Sequence, residues 1–185
     1  MPTIVGIAGS LRAGSYNAAL LRAAALFSPA GTTLEIASIR EIPLYDGDLE
    51  AESGIPELVS DLKERVARAD GLLLVTPEYN GSIPGVLKNA LDWLSRPATD
   101  VPLVFGQRPV ALMGASPGPQ GTALAQAAWL PIFRSLGMRP WFGPRVQVGL
   151  ASKVFDAHGE LVDERVCKHV AEFMDGFSQF IVGGT

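Results

Sequence analysis

Cysteine is almost missing from this 185-residue chain, with Cys167 the only one. A single thiol excludes an internal disulfide framework and any cage of several cysteine thiolates around zinc or iron-sulfur, and it points to a reducing cytoplasm. Histidine is nearly as scarce, with His158 and His169 alone. Positive charge is in short supply too: 15 Lys and Arg against 19 Asp and Glu leave a formal net charge of −4. Nucleic acid is therefore not an expected partner, and any attraction of anions must come from local patches. No window nears the ~20 apolar residues that a membrane span needs, so no membrane partner is expected. The opening MPTIVGIAGS has neither a basic start nor a long apolar stretch, and reads as a first strand, not as a signal peptide. What is present is a core: 48% of the residues are apolar and only 18% charged, enough for one globular domain over residues 1–185.

Strand and helix signals alternate along the whole chain. Thr3 to Ala8 reads as a strand, Ser15 to Phe27 as a helix and Thr33 to Ser38 as a second strand, the βαβ rhythm of a parallel sheet. Glu41 to Pro56 is irregular, rich in Pro, Gly and acids, and is expected to overhang the ligand site. A second helix is marked by Leu58, Leu62, Val66 and Ala69, and Gly71 to Val75 is a continuous apolar run suited to a strand buried on both faces. Pro84 suits the first turn of a third helix through Leu87, Leu91 and Leu94, ending near Arg96. Val110 to Gly114 is a fourth strand, Thr122 to Leu136 a helix that Pro131 should kink, and Arg145 to Gly149 a fifth strand. Val162, Val166, Val170, Phe173, Phe177 and Ile181 form one apolar stripe on a final helix. Five strands and five helices in one three-layer domain are expected.

Three loops follow strands in this reading, where open α/β sheets bind ligands. The first, Gly9 to Asn17, opens a helix whose free NH groups and dipole favour an anion. Gly9 and Gly14 have the spacing of a Walker A loop, but Ser15 and Tyr16 stand where that motif needs Lys and Ser or Thr, which excludes triphosphate hydrolysis. Ser10, Arg12, Ser15 and Asn17 remain as a hydroxyl-rich, cationic nest for one terminal phosphate. The bland reading is that Ser15 only caps the helix, yet a cap needs one such residue and the loop supplies several. The second loop, from Thr76, carries Glu78, Tyr79, Asn80, Gly81 and Ser82: an acid, an aromatic plate, an amide and backbone NH groups. The third, Gly114 to Gly118, matches G-x-S-x-G formally, but the residue after Ser116 is Pro117, which has no NH for an oxyanion hole. Ser116 is then a turn residue placed to touch a ligand.

Together, GSLRAGSYN at 9–17, PEYNGSIPGVLKNALDW at 77–93 and the turn from Ser116 to Gly118 resemble the NADPH-dependent FMN reductase family, which includes chromate, quinone and azo reductases. The resemblance implies a flavodoxin-like three-layer α/β sandwich, its five-stranded parallel sheet in the order 2-1-3-4-5 with helices on both faces and FMN at the carboxyl edge. It places the FMN phosphate at Ser10, Arg12, Ser15, Tyr16 and Asn17. It places the ring at Pro77, Glu78, Tyr79, Asn80 and Gly81, with Ser116 and Gly118 on the opposite rim. Flavin carries the hydride chemistry itself, so no catalytic side chain and no metal are expected. Backbone NH groups at 78–81 would steady the charge of a reduced ring. NADPH, or NADH, is the implied co-substrate, with ping-pong kinetics. Arg12 and Arg108 are the candidates for its 2′-phosphate.

The bland readings are a packing aromatic for Tyr79 and a solvated acid for Glu78. Trp93, Trp129 and Phe133 are either core or a helical dimer face, and the resemblance implies a homodimer or homotetramer whose partner chain walls the site. A flavodoxin-type carrier between protein partners is the competing reading, but it wants a strongly acidic docking surface that a charge of −4 does not supply. A flavin sensor ranks last, since no effector domain accompanies it.

Overall fold

The computed structural model describes residues 1–184. One parallel sheet organises it: β1 (Thr3–Ala8), β2 (Thr33–Ala37), β3 (Gly71–Val75), β4 (Pro109–Ala115), β5 (Arg139–Pro140) and β6 (Val146–Val148). The order is β2-β1-β3-β4-β5, with β6 also pairing β4. Side chains alternate across a strand, so neighbouring apolar residues feed opposite layers. Val5, Ile7, Leu72 and Leu74 pack with α3 (Glu57–Arg68), α4 (Gly85–Leu94) and α6 (Ala123–Ser135). Ile4, Leu73, Val75 and Met113 face α1 (Tyr16–Leu26) and α7 (Glu164–Val182). Every residue of β3 is buried, which is why its sequence is an unbroken apolar run.

Several boundaries differ from expectation for identifiable reasons. The outer strand is split. Val146–Val148 pairs with Met113 to Ala115, whereas an unforeseen two-residue strand, Arg139–Pro140, pairs with Pro109 and Val110. The Trp141 NH still donates to the Val110 carbonyl of β4 at 2.8 Å, its ring packs on Phe173 of α7 with centroids 4.9 Å apart, and the chain beyond it, where Pro144 cannot donate to a ladder, leaves the sheet until Val146. The final helix begins at Glu164, after Val162, because the Asp163 carboxylate accepts from the NH groups of Arg165 and Val166 and so caps it. α6 continues through Pro131 to Ser135.

Glu41 to Pro56 is not an irregular overhang. It holds a short helix, α2 (Gly47–Ser53), capped by Asp46, and it is strapped along α4. The Pro43 carbonyl accepts from Asn89 Nδ2 at 2.8 Å and from the Trp93 indole at 2.9 Å. α5 (Val101–Val104) is a further short helix. Trp93, Trp129 and Phe133 are wholly buried. They are core, and any dimer face must use other residues.

Arg108, offered for a 2′-phosphate, is spent as a brace. Its guanidinium donates to the carbonyls of Val104, Leu103, Ala67 and Ala69. It sits just before β4, at the opposite end of the sheet from the ligand edge, and burial holds its pKa below the usual arginine value.

The strap on α4 carries a testable ion pair. Arg96 Nε donates to Glu50 Oε2 at 2.8 Å, and the Tyr45 hydroxyl donates to the same oxygen at 2.9 Å. These bonds, that of Arg96 first, hold the Glu50 carboxyl below its ordinary range. A lowered folded pKa stabilises above the unfolded value and is lost as pH falls through the folded one. Thermal melts of wild type and Glu50→Gln should therefore differ at neutral pH and begin to converge as the pH falls below about 4.3, meeting only once it has passed the lowered folded value. A gap unchanged down the acid range would show that the pair contributes no linkage.

Candidate active site

Because all strands run parallel, the loops after β1, β3 and β4 leave the sheet at one edge. Ser10, Arg12, Ser15, Tyr16, Asn17, Pro77, Glu78, Tyr79 and Ser116 line a single cleft there, joined by Ala115 and Pro117. Asn80, Gly81 and Gly118 do not line it. The first two loops are packed closely: a Cβ on Gly9 would lie 2.9 Å from both Leu87 and Pro77, so only glycine lets the β1 loop reach the β3 loop.

The first loop builds an anion cradle. Ser15 is the N-cap of α1, its hydroxyl accepting from the Ala18 NH at 3.2 Å. Capping is thus one of its jobs, as the bland reading held, and its hydroxyl hydrogen stays available to a ligand. Among the described residues, the NH groups of Tyr16 and Asn17 meet no protein acceptor. α1 has no acid in its first turn, unlike α2, α3 and α7, so nothing of its own offsets the positive end of its dipole. Arg12 is exposed beside it. Tyr16 and Asn17 enter differently from expectation. The Tyr16 ring leans on Phe155 at 5.5 Å, and the Asn17 amide pairs with both the carbonyl and the NH of Ala115 at 2.9 Å. The Asn17 side chain is thereby spent, and its backbone NH and that of Tyr16 remain for an anion.

The second loop is a two-residue hairpin turn. Tyr79 and Ser82 exchange NH-to-carbonyl bonds of 3.1 and 3.0 Å across Asn80 and Gly81, which both have positive φ, 52° and 70°. That is the Asn-Gly chemistry of a type I′ turn. The Tyr79 NH is consumed in it, whereas those of Glu78, Asn80 and Gly81 have no acceptor among the described residues. Tyr79 is 46% exposed, with its hydroxyl 3.5 Å from Ser10 Oγ, so it is not a packing aromatic. Glu78 is not a solvated acid either: its Oε2 accepts from the NH groups of Leu124 and Ala125 at the start of α6. Thr122, at the N-cap of that helix, makes no side-chain cap bond, and because threonine is a favoured cap residue the sequence carried no signal that a distant acid would take its place. In the third loop Ser116 Oγ accepts from the Gly118 NH at 3.0 Å, and the turn closes the rim.

These residues suit FMN in kind: an anion cradle at one end, and a turn with unspent NH groups and an exposed aromatic at the other. The enclosed space is only about 100 Å³. A cofactor pocket usually offers about 300 Å³ or more, so the cleft would enclose one end of such a ligand and leave the rest on an open rim. Of two other hollows, the one of about 170 Å³ between α6 and the loop at 141–145 touches none of the three loops, and the one of about 320 Å³ along β2 reaches only the first, at Ser10 and Leu11. No helix among the described residues is long and apolar enough to cross a membrane.

Comparison with known proteins agrees with the geometry. Residues 2–153 match the family model for NADPH-dependent FMN reductase. An NAD(P)H-dependent FMN reductase of Pseudomonas aeruginosa is 44% identical over 162 residues, covering 88% of this chain and 85% of its own. A 2-hydroxy-1,4-benzoquinone reductase of a Burkholderia species is 38% identical over 178 residues, covering 96% and 95%. Among solved structures, the flavoenzyme NAD(P)H:(acceptor) oxidoreductase FerB from Paracoccus denitrificans superimposes with a TM-score of 0.88 at 33% identity, covering 100% of this chain and 99% of its own. The chain belongs to the NADPH-dependent FMN reductase family and is an oxidoreductase with a flavodoxin-like fold.

Proposed function

We propose that this chain, as one domain, takes reducing equivalents from NADPH or NADH and passes them to a small acceptor such as a quinone, free flavin, chromate or an azo compound. The observation that carries the reading is that the acid-free start of α1 and the β3 loop at Pro77, Glu78 and Tyr79 line one cleft, with the NH-bearing turn at Asn80 and Gly81 following directly in the chain. FMN, when bound, supplies the hydride acceptance and release that the side chains cannot. Ser10, Arg12, Ser15 and the NH groups of Tyr16 and Asn17 hold its phosphate. The NH groups of Glu78, Asn80 and Gly81 meet the polar edge of its ring, Pro77 and Tyr79 flank it, and Ser116 and Gly118 form the far rim. With Arg108 committed to carbonyls, Arg12 is the remaining candidate for a 2′-phosphate, and the preference for NADPH rests on the family. The carrier reading is not favoured, since the relatives are reductases and the charge is only −4.

The open rim favours a homodimer, itself able to pair into a tetramer. Tyr79 and Leu124 stay exposed beside the cleft, and a second copy would cover them while walling the ring. The lone, half-buried Cys167 fits the cytoplasm.

Visible spectra of the purified protein titrated with FMN, then mixed anaerobically with NADPH or NADH, test the function. A bound flavin bleached by the nicotinamide and restored by a quinone is expected, and a chain that binds no FMN would sink the reading. Tyr79→Ala should change FMN affinity or turnover severalfold, while stability moves by no more than about 0.5 kcal/mol, the usual cost at an exposed position. Normal kinetics with a large loss of stability would return Tyr79 to a packing role.

A further inference from the structure

The geometry points to Glu78 as a positioning residue: its carboxylate ties the turn at Tyr79 to Ser82 onto the start of α6, so that α6 sets where the turn stands over the cleft. This rests on the reading of that turn as the seat of the flavin ring. A turn of two residues at the tip of a loop has little to hold its height, and a ring seat needs to be held to about 0.5 Å.

α6 supplies the hold at three points. Glu78 Oε2 accepts from the Leu124 NH at 2.9 Å and the Ala125 NH at 3.1 Å. The buried Trp129 indole donates to the Thr76 hydroxyl at 3.1 Å, which in turn donates to the Pro77 carbonyl at 2.9 Å. Leu124 Cδ1 lies 3.5 Å from where a Cβ on Gly81 would stand. The helix is itself fixed, since Gln126 Nε2 donates to the Val146 carbonyl of the sheet at 3.0 Å. Among the described residues, nothing else serves the NH groups of Leu124 and Ala125. Thr122, at its N-cap, makes no capping bond and accepts instead from Gln126, and no acid stands in its own first turn. The bond therefore works both ways: it completes α6 and it orients the Glu78 peptide, whose NH stays unspent. Because Oε2 is engaged by the helix, the tie acts on a ligand through the Glu78 backbone.

Glu78→Ala and Glu78→Gln in the full chain test the tie. Two readouts are needed: amide hydrogen exchange at Leu124 and Ala125 without FMN, and FMN affinity by fluorescence titration. In Glu78→Ala, exchange at both amides should rise about tenfold or more and FMN affinity should fall about tenfold, one charge-assisted bond being worth at least that. Glu78→Gln keeps an oxygen that can accept and should restore both to within about threefold of wild type. Weaker FMN binding in Glu78→Ala with unchanged exchange would overturn the tie, because the carboxylate would then meet the flavin itself. FMN affinity equal to wild type in Glu78→Ala would overturn it as well. Wild-type protein that binds no FMN would instead remove the flavin reading, and the exchange arm, which needs no flavin, would still decide the tie.

Discussion

Asn17→Ala should lower stability by about 2–4 kcal/mol, because it strands two buried peptide groups at once. The amide of Asn17 accepts from the Ala115 NH and donates to the Ala115 carbonyl, both at 2.9 Å and both buried. It thus finishes the end of β4 much as another strand would. Each group left without a partner costs about 1–3 kcal/mol, and water cannot replace the amide at a site only 4% exposed. For a chain of this length the melting temperature should drop by about 5–15 °C. Asn17→Asp should be destabilised too, since it keeps the acceptor but turns a charged oxygen toward a carbonyl. Denaturant unfolding of the FMN-free variants measures both. If Asn17→Ala unfolds like wild type but loses FMN, the side chain is a phosphate ligand and the pairing with Ala115 carries no weight.

The second expected result concerns the anion cradle. Arg12→Ala combined with Ser15→Asp should weaken FMN binding about 100-fold or more while leaving the fold as stable as before. Aspartate caps a helix as well as serine does, and its charge favours the positive end of the dipole by about 0.3–1 kcal/mol. The same charge repels a phosphate, and a lost hydrogen bond to a charged group costs a further ~1.5–3 kcal/mol, where 1.4 kcal/mol is tenfold. Ser15→Ala would be a poorer probe, because it also removes the bond from the Ala18 NH at 3.2 Å. Unchanged FMN affinity in the double variant would move the phosphate away from α1. A melting temperature that falls together with affinity would leave the cap as the sole role of Ser15.

What was legible beforehand follows the range of the interactions involved. The strands at Thr3, Thr33 and Gly71 and the start of α1 at Ser15 rest on local patterns of apolar and capping residues, and they stand where those patterns put them. The strand expected at Arg145 to Gly149 stands at Val146–Val148, whereas Arg139–Pro140, which also pairs β4, was not expected, because two residues that include a proline carry no strand pattern. α2 was missed because a seven-residue helix among acids has no apolar stripe to announce it. The side-chain partners of Arg108 and Glu78 were not legible for a different reason: a charged side chain looks free until its partners, here backbone groups of other elements, are known.

By itself, the sequence determined that this chain makes a parallel α/β sheet with a hydroxyl-rich loop capping a helix after the first strand and an Asn-Gly turn after the third. Periodicity, glycine and capping act within a few residues, so they can be read along the chain. Only the tertiary structure decided which polar groups remain for a ligand. Asn17 is taken by Ala115, 98 residues away, and Glu78 by Leu124, 46 residues away. Trp93 and Trp129 vanish into the core, donating to Pro43 and Thr76. A buried donor or acceptor must find a partner wherever the fold supplies one. Such pairings join residues remote in sequence, so the choice between holding the scaffold and holding the cofactor is made in three dimensions.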